Sequence, residues 1–403
     1  MKIVTAFFLL LYPALLYQQN KNITSFVKLD TIINLQITCD YDQINEEDLK
    51  LQLLGNKVWI FYPNWKENDS LCYLTVDIKT KELRKHNLYV PSLSFKTNSP
   101  IIKHFHVTDS GLVVLFSNNV FVYFKKTKGN YDFSFIEPLA NAMQSVYCLN
   151  SKTLLFANMY NSHPNSNPDP VVFKLYSVNQ RKVVKNLIPK FDAIEFSHFS
   201  PSHWLSVYGN SVLISQTANY KLAIYDETLD KKEEIVAKPD SSWIYADTNF
   251  IRLTRNMKPR KGGKEWIELL SPMQDSISRI EAVYFLDKKT ILVRKIPAYS
   301  KEKSHERLYD VWAKNERGWH VEQSNIYDRR ASPDSKIEKS NFPVMSRLGA
   351  TDFDAHHFVK LQVMFHDMEF GKTYADQKKA EEKMLTDGVQ PKFYLYIYKN
   401  DFK

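Results

Sequence analysis

Aspartate and histidine alternate with apolar residues in Thr351–Phe358 (TDFDAHHF), and His366 and Asp367 follow soon after. Successive side chains of an extended strand point to opposite faces, so Asp352, Asp354 and His356 would share one face. Carboxylates and imidazole in that arrangement make a ligand set for a divalent metal. The same residues also make an ordinary β-turn, with Asp accepting from nearby backbone N–H groups, and this is the reading we adopt. No metal is therefore expected. His104 and His106 are two apart and share a strand face, while His198 and His203 flank Ser200-Pro201. No GxSxG elbow, other nucleophile motif or carboxylate pair accompanies them, so hydrolytic chemistry has no sequence anchor.

Aromatic side chains offer a different chemistry, stacking and hydrogen bonding to a bound partner. Of the seven tryptophans, Trp59, Trp243, Trp266, Trp312 and Trp319 alternate with apolar residues and read as core. Trp65, in the polar segment 63–69, and Trp204, in the approach 200–206, are the least explained by packing. With His104 they form the expected ligand-binding set.

The elements that must position these residues repeat along the chain. Six times an apolar, Tyr/Phe/Val-rich segment breaks at a short polar turn and resumes: 51–62 with 71–88, 106–117 with 120–135, 146–158 with 171–188, 205–216 with 220–236, 282–296 with 306–323, and 353–365 with 393–402. The second members alternate apolar and polar residues, as in Tyr220–Val236 (YKLAIYDETLDKKEEIV), and predict half-buried hairpins. Short runs after the first turns, such as Leu112–Phe116 and Val58–Tyr62, are continuously apolar and predict strands buried on both faces. One supersecondary unit copied around an axis predicts an all-β propeller of six or seven blades. Segment 244–254 reads as a further hairpin turning at Asp247–Asn249. Turn landmarks near 55, 110, 151, 209, 247, 288 and 355 lie about 50 residues apart, which favours seven.

Both ends of the repeat have a spare strand. Ile23–Thr38 has no hairpin partner before it, and Phe393–Tyr398 has none after it. Pairing the first into the last blade would close the ring and remove an open edge. Tyr374–Leu385 (YADQKKAEEKML), rich in Ala, Glu, Lys and Leu, predicts a single helix inserted in the last blade.

Composition narrows the functional classes. Lys2 and the apolar run Ile3–Tyr17 are too short to span a membrane and predict an export signal over residues 1–19, leaving 20–403 as one propeller domain. Three cysteines, Cys39, Cys72 and Cys148, allow at most one bridge, with Cys39 and Cys72 as candidates. Only 10 glycines argue against phosphate-binding loops and dinucleotide fingerprints, and no cofactor is expected. The net charge of +9 is dense at Arg252–Lys264 and around Lys301, Lys303 and Arg307. It reads as solvated loop, with an anionic surface such as polysaccharide or lipid headgroups as the functional alternative. Nucleic acid is not an expected partner of an exported chain. Sequons at Asn22 and Asn68 would matter only in a eukaryotic secretory route.

An export leader, blades built as apolar strand, Asp/Asn turn and aromatic strand, and a length near 400 together resemble exported β-propeller proteins of Bacteroidetes. The resemblance spans Leu51 to the C-terminus. It departs from that family in lacking a lipid-acceptor Cys, and neither WD dipeptides nor kelch Gly-Gly pairs recur. The expectation is a monomeric, periplasmic, cell-surface or secreted module that binds or scaffolds a protein or glycan at the mouth of the central channel, with cell-envelope association. The alternatives are a propeller enzyme acting on polysaccharide or glycoside through His104 and the Asp/His residues of 352–357, and a component of an outer-membrane complex.

Overall fold

Alternating strands joined by turns of a few residues can pair only as antiparallel hairpins, and the described residues form six sheets, five built from consecutive strands and the sixth completed by a strand from the other end of the repeat. A computed structural model describes residues 23–37, 49–61, 66–67, 70–91, 101–141, 143–158, 172–187, 204–216, 220–236, 243, 277–298, 307–328, 334, 336, 350–364, 369–390 and 392–402. Strand β1 (Val27–Asn34) is set aside for the closure. Blade 1 is β2 (Lys50–Leu54), β3 (Lys57–Phe61), β5 (Ser70–Asp77) and β6 (Leu83–Tyr89), with the two-residue β4 (Lys66–Glu67) paired to β5. Blade 2 is β7 (Ile102–Val107), β8 (Gly111–Phe116), β9 (Val120–Thr127) and β10 (Asn130–Pro138). Blade 3 is β11 (Ser145–Asn150), β12 (Thr153–Asn158), β13 (Val172–Ser177) and β14 (Lys182–Leu187). Blade 4 is β15 (Leu205–Tyr208), β16 (Ser211–Gln216), β17 (Lys221–Tyr225) and β18 (Lys231–Val236). Blade 5 is β19 (Arg279–Asp287), β20 (Thr290–Ile296), β21 (Arg307–Asn315) and β22 (Gly318–Asp328).

Blade 6 takes β23 (Thr351–Phe353), β24 (His357–Met364) and β25 (Lys392–Asn400) from the far end of the chain and β1 from the near end. Strand β1 runs antiparallel to β25, from Val27 opposite Asn400 to Asn34 opposite Tyr394, so the expected closure is present. Asp30 fastens the joint to the next blade. Its carboxylate lies 2.5 Å from Lys81 Nζ in the β5–β6 turn and 2.9 Å from Lys399 Nζ. These cations, which donate hydrogen bonds to it, hold Asp30 below the usual carboxylate range. Behind it Leu35, Leu53, Val58, Val359, Leu361 and Leu395 belong to one apolar cluster across the 6–1 seam.

The buried second strands match their sequence signature: β8 is buried along its whole length. Outermost strands β14 (KVVKNL) and β18 (KKEEIV) are exposed and charged, which keeps their open edges from pairing with other chains. Gly55 supplies the +58° φ that the tight Leu54–Lys57 turn needs at its first central position. The one α-helix among the described residues, α1 (Tyr374–Thr386), lies where its composition predicts. Thr373 caps it, accepting from Asp376 N and donating to Asp376 Oδ2.

The preference for seven blades is not supported. The 244–254 hairpin lies outside the described residues, and blade 4 packs directly on blade 5 with no sheet between them. Ser206 Oγ on β15 accepts from Phe285 N on β19 at 3.0 Å, and Trp319 Nε1 of blade 5 donates to Glu233 Oε2 of blade 4 at 2.6 Å. Between them lies a buried polar knot. Lys295 Nζ is 2.8 Å from Asp310, Tyr220 donates to the same carboxylate, and Trp312 Nε1 donates to the Tyr220 hydroxyl. Landmark counting could not tell a turn-like sequence within a long connection from the first hairpin of a blade.

The ring has two unequal ends. Turns from first to second and from third to fourth strand emerge at one end and span two to five residues. Every connection longer than five residues joins a second strand to a third, or a fourth to the next blade's first, and so starts and finishes at the opposite end. These include 62–69, 90–101, 159–171, 188–204, 237–278, 297–306, 329–350 and 365–391.

Removing residues through Thr38 should bare the β25 edge. The expected result is self-association on size-exclusion chromatography and a lower Tm; a truncated chain that stays monomeric with an unchanged melting curve would contradict the closure. Asp310→Ala should cost about 3–5 kcal/mol in urea unfolding, because it leaves the Lys295 ammonium buried without its counter-charge.

Candidate functional site

The first strand of each blade pairs with its second strand along one edge only; the other edge turns toward the central axis and the adjacent blade. Backbone groups on that edge have no ladder partner, and leaving them bare would cost about 1–3 kcal/mol each. Polar side chains from neighbouring inner strands supply the partners. Gln52 on β2 brackets Val107 on β7, donating from Nε2 to its carbonyl at 2.9 Å and accepting its N–H at 2.7 Å. His106 on β7 accepts Cys148 N of β11 through Nδ1 at 3.1 Å. His104 Nδ1 lies 3.0 Å from Val146 O and 3.4 Å from Val146 N. Asp352 on β23 accepts Leu53 N of β2 through Oδ2 at 2.7 Å, and Phe353 N through Oδ1 at 2.9 Å. With Ser206, these braces link blades 1 to 2, 2 to 3, 4 to 5 and 6 to 1.

Two of the braces are unusual electrostatically. His106 and Asp352 are both half-buried beside the central axis. Desolvation pushes the His106 imidazole down to about 4, so it is neutral near pH 7. With Nδ1 accepting, its proton is assigned to Nε2. Desolvation pushes the Asp352 carboxyl up to about 7; the two backbone N–H bonds oppose the shift and the Asp354 charge adds to it. Tyr147 on β11 packs against both histidines, with centroids 4.9 Å from His104 and 5.2 Å from His106. Burial raises its hydroxyl, and the charge of Asp352 adds to the rise although blades 3 and 6 stand on opposite sides of the ring.

The residues singled out in the sequence are not brought together in one cluster. His104 sits half-buried on β7, sharing a face with His106 as expected. Trp65 lies outside the described residues, within the 62–69 connection. The expected exposure of Trp204 is corrected: it is 8 % exposed and packs on Phe173 at 5.4 Å. Its carbonyl accepts from Ser215 N and Oγ, so the strand effectively begins one residue before β15 and carries the indole into the blade 3–4 core. Asp354 Oδ1 accepts the N–H groups of His356 and His357, both at 2.7 Å, which is the turn reading of this segment. Among the described residues no three His, Cys, Asp or Glu side chains gather as a metal-binding group. Cys72 is buried in β5, while its candidate partner Cys39 lies outside the described residues. The residues that sequence reasoning missed, Gln52, Ser206 and Tyr147, left a signal: a polar residue inside a short apolar first strand, as in LQLL and LSVY.

The Asp352 shift fixes a sign. Its folded-state pKa lies above the ordinary value, so folding favours the protonated carboxyl, and that contribution is lost as pH rises from about 4 through about 7. Asp352→Asn, which stays neutral, should match the parent near pH 4 and exceed it above pH 7, by on the order of a few kcal/mol. Chemical denaturation of both proteins between those limits measures the gap; a gap that does not vary with pH would contradict the assignment.

No protein-family model matches the chain, and no curated protein is similar to it in sequence. Among solved structures it is similar to a Bacteroides fragilis protein whose name calls it exported, at 13 % identity and a TM-score of 0.52 over 95 % of this chain and 98 % of that one. It also aligns with the WD40 domain of Toxoplasma gondii coronin, at 8 % identity and a TM-score of 0.41 over 92 % and 88 % of the two chains. A third match is the β-propeller domain of the Myceliophthora thermophila protein Swd1, at 8 % identity and a TM-score of 0.40 over 91 % and 99 %. At these identities the likeness concerns fold alone, and the chain itself is an all-β, six-bladed propeller.

Proposed function

We propose that this protein is an exported β-propeller that binds or scaffolds a protein or glycan partner at the channel mouth on the end bearing the long connections. The observation that carries the reading is the inequality of the two ends. A ring that needs only turns of two to five residues to hold its blades together bears every longer connection on one end. Segments of that length are not needed to close a sheet, and binding surfaces concentrate on such loops. The exported Bacteroides fragilis neighbour supports export of this chain as well. No helix among the described residues is long and apolar enough to cross a membrane.

Within this reading Trp65, in the 62–69 connection, and His104, on the inner strand of blade 2, serve as contact residues. Trp204 acts from the core, anchoring the end of the 188–204 connection. The second reading, a propeller enzyme acting on polysaccharide or glycoside, is favoured by one observation: a channel carboxyl poised near neutrality is suited to general acid work.

Both readings are tested on a glycan and peptide array probed with the purified chain. Binding should fall by about tenfold or more in a Trp65→Ala, His104→Gln double variant of unchanged stability, the loss expected when an aromatic anchor is removed. Bound partners indifferent to both substitutions would refute the contact assignment. Turnover of an arrayed glycan that is lost in Asp352→Asn would move the protein to the enzyme class.

A further inference from the structure

The end of the ring that carries only short turns is rich in lysine across blades 1 to 3. Lys79 stands in the β5–β6 turn, Lys128 in β9–β10 and Lys152 in β11–β12, while Lys182 opens β14 after the β13–β14 turn; all four are exposed. The carboxylates of these turns are engaged elsewhere. Asp77 accepts the N–H groups of Lys79 and Thr80 and stands opposite Lys57, and Glu82 accepts from Arg84 through both oxygens. Asp109 pairs with Lys126 at 3.0 Å, and Asp132 stands opposite Lys125. Glu227 reaches this end from blade 4, where Asn150 donates to it at 3.2 Å. No ion pair among the described residues holds Lys79, Lys128, Lys152 or Lys182.

The backbone adds an independent sign. In each of these three blades the turn from third to fourth strand places a cationic residue at positive φ: Lys81 at +61°, Lys128 at +50° and Arg181 at +50°. Such positions suit glycine, asparagine or aspartate, which tolerate the left-handed backbone with less strain. Blade 5 has Gly318, at +107°, at the end of its equivalent turn. Lys81 turns its charge back to Asp30, and Arg181 lies 3.7 Å from Glu137, but Lys128 has no such partner. Its hairpin would close better on asparagine, so the cation serves something outside the fold.

We propose that this end of the ring docks on an anionic lipid bilayer through its phosphate headgroups. A linear polyanion is followed by charges in file along a groove, whereas these lysines stand on separate turns of three blades. A membrane meets all of them at once, because turns of two to five residues leave this end without long projections. An ammonium group is a compact point charge with rotatable donors, suited to headgroups that move. Tyr208, 45 % exposed at the β15–β16 turn, adds to the same end an aromatic ring with a polar tip, the kind of side chain that settles at a membrane interface. The end with the long connections would then face away from the membrane.

The inference concerns the end opposite the proposed partner site, so array binding and membrane docking can fail separately. The experiment is co-sedimentation of the full chain with vesicles of phosphatidylcholine, with and without phosphatidylglycerol. Binding should be tighter to the anionic vesicles, a difference that the apolar run at 3–17 does not produce, and should weaken as salt screens the lysines. Each lysine near an anionic surface contributes about fivefold in affinity, so a Lys79→Gln, Lys128→Asn, Lys152→Gln, Lys182→Gln variant should lose about a hundredfold or more of that preference. Lys128→Asn also relieves the left-handed turn, so the variant should keep its Tm. A matched variant in the 365–391 connection, Lys372→Gln, Lys378→Gln, Lys379→Gln, Lys383→Gln, loses the same charge at the other end and should bind like the parent. Equal losses in both variants, or no preference for anionic vesicles, would overturn the proposal. So would retention on polygalacturonate through the same four lysines without vesicle binding, which would assign this end to an anionic polysaccharide.

Discussion

A closed ring of sheets leaves an open strand edge on each blade at its rim, where water can serve it, and another at its centre. Each innermost strand is paired on one side only, and its remaining N–H and C=O groups face an axis too narrow for another strand. Water can fill part of that space, yet bonds to loose water do not fix the angle of one blade against the next. Here the axis is laced by side chains that do both tasks. Gln52 takes both backbone groups of Val107, His106 takes Cys148 N–H, Ser206 takes Phe285 N–H and Asp352 takes Leu53 N–H. The apolar faces between blades supply most of the burial, but apolar contact is non-directional. The braces are directional, and they set the register of neighbouring inner strands.

Placing polar groups where water is scarce has an electrostatic cost, and it appears at the two titratable braces. His106 is pressed toward neutrality from the basic side and Asp352 from the acidic side. The neutral imidazole still accepts through one nitrogen, so His106 performs its structural task without charge. Asp352 also needs only an accepting oxygen for Leu53, which an asparagine would supply. The ionisable carboxyl therefore exceeds what ring assembly requires, and perturbed groups of that kind concentrate at functional sites.

Much of the architecture was legible because strand signals are local. Period-two alternation in Tyr220–Val236, continuous apolarity in Leu112–Phe116 and the helix-forming run at 374–385 each map onto the element they predict. The closure was legible from a surplus, one unmatched strand at each end of the repeat. Blade count was not, since it depends on which sheets touch, and the contact between Ser206 and Phe285 joins residues that a long connection separates in sequence. Trp204 misled for a related reason. Its polar approach suggests a loop, while the Ser215 bonds that draw it into the core come from the next strand. The braces were hardest to read, because a glutamine or serine in a strand looks like a solvent-facing position until the axis beside it is known.

The pairing of β1 with β25 also imposes an order in time. Val27 meets Asn400 and Asn34 meets Tyr394, so the segment that emerges early from the ribosome has as its partner one that emerges late. Intermediate blades can form their hairpins as they appear, since those contacts are local. The sixth sheet cannot, and the joint that Asp30 makes with Lys81 and Lys399 must wait with it. Until then the repeat is an open arc with β1 unpaired. The most topologically committing step of the fold therefore cannot occur until β25 has been made.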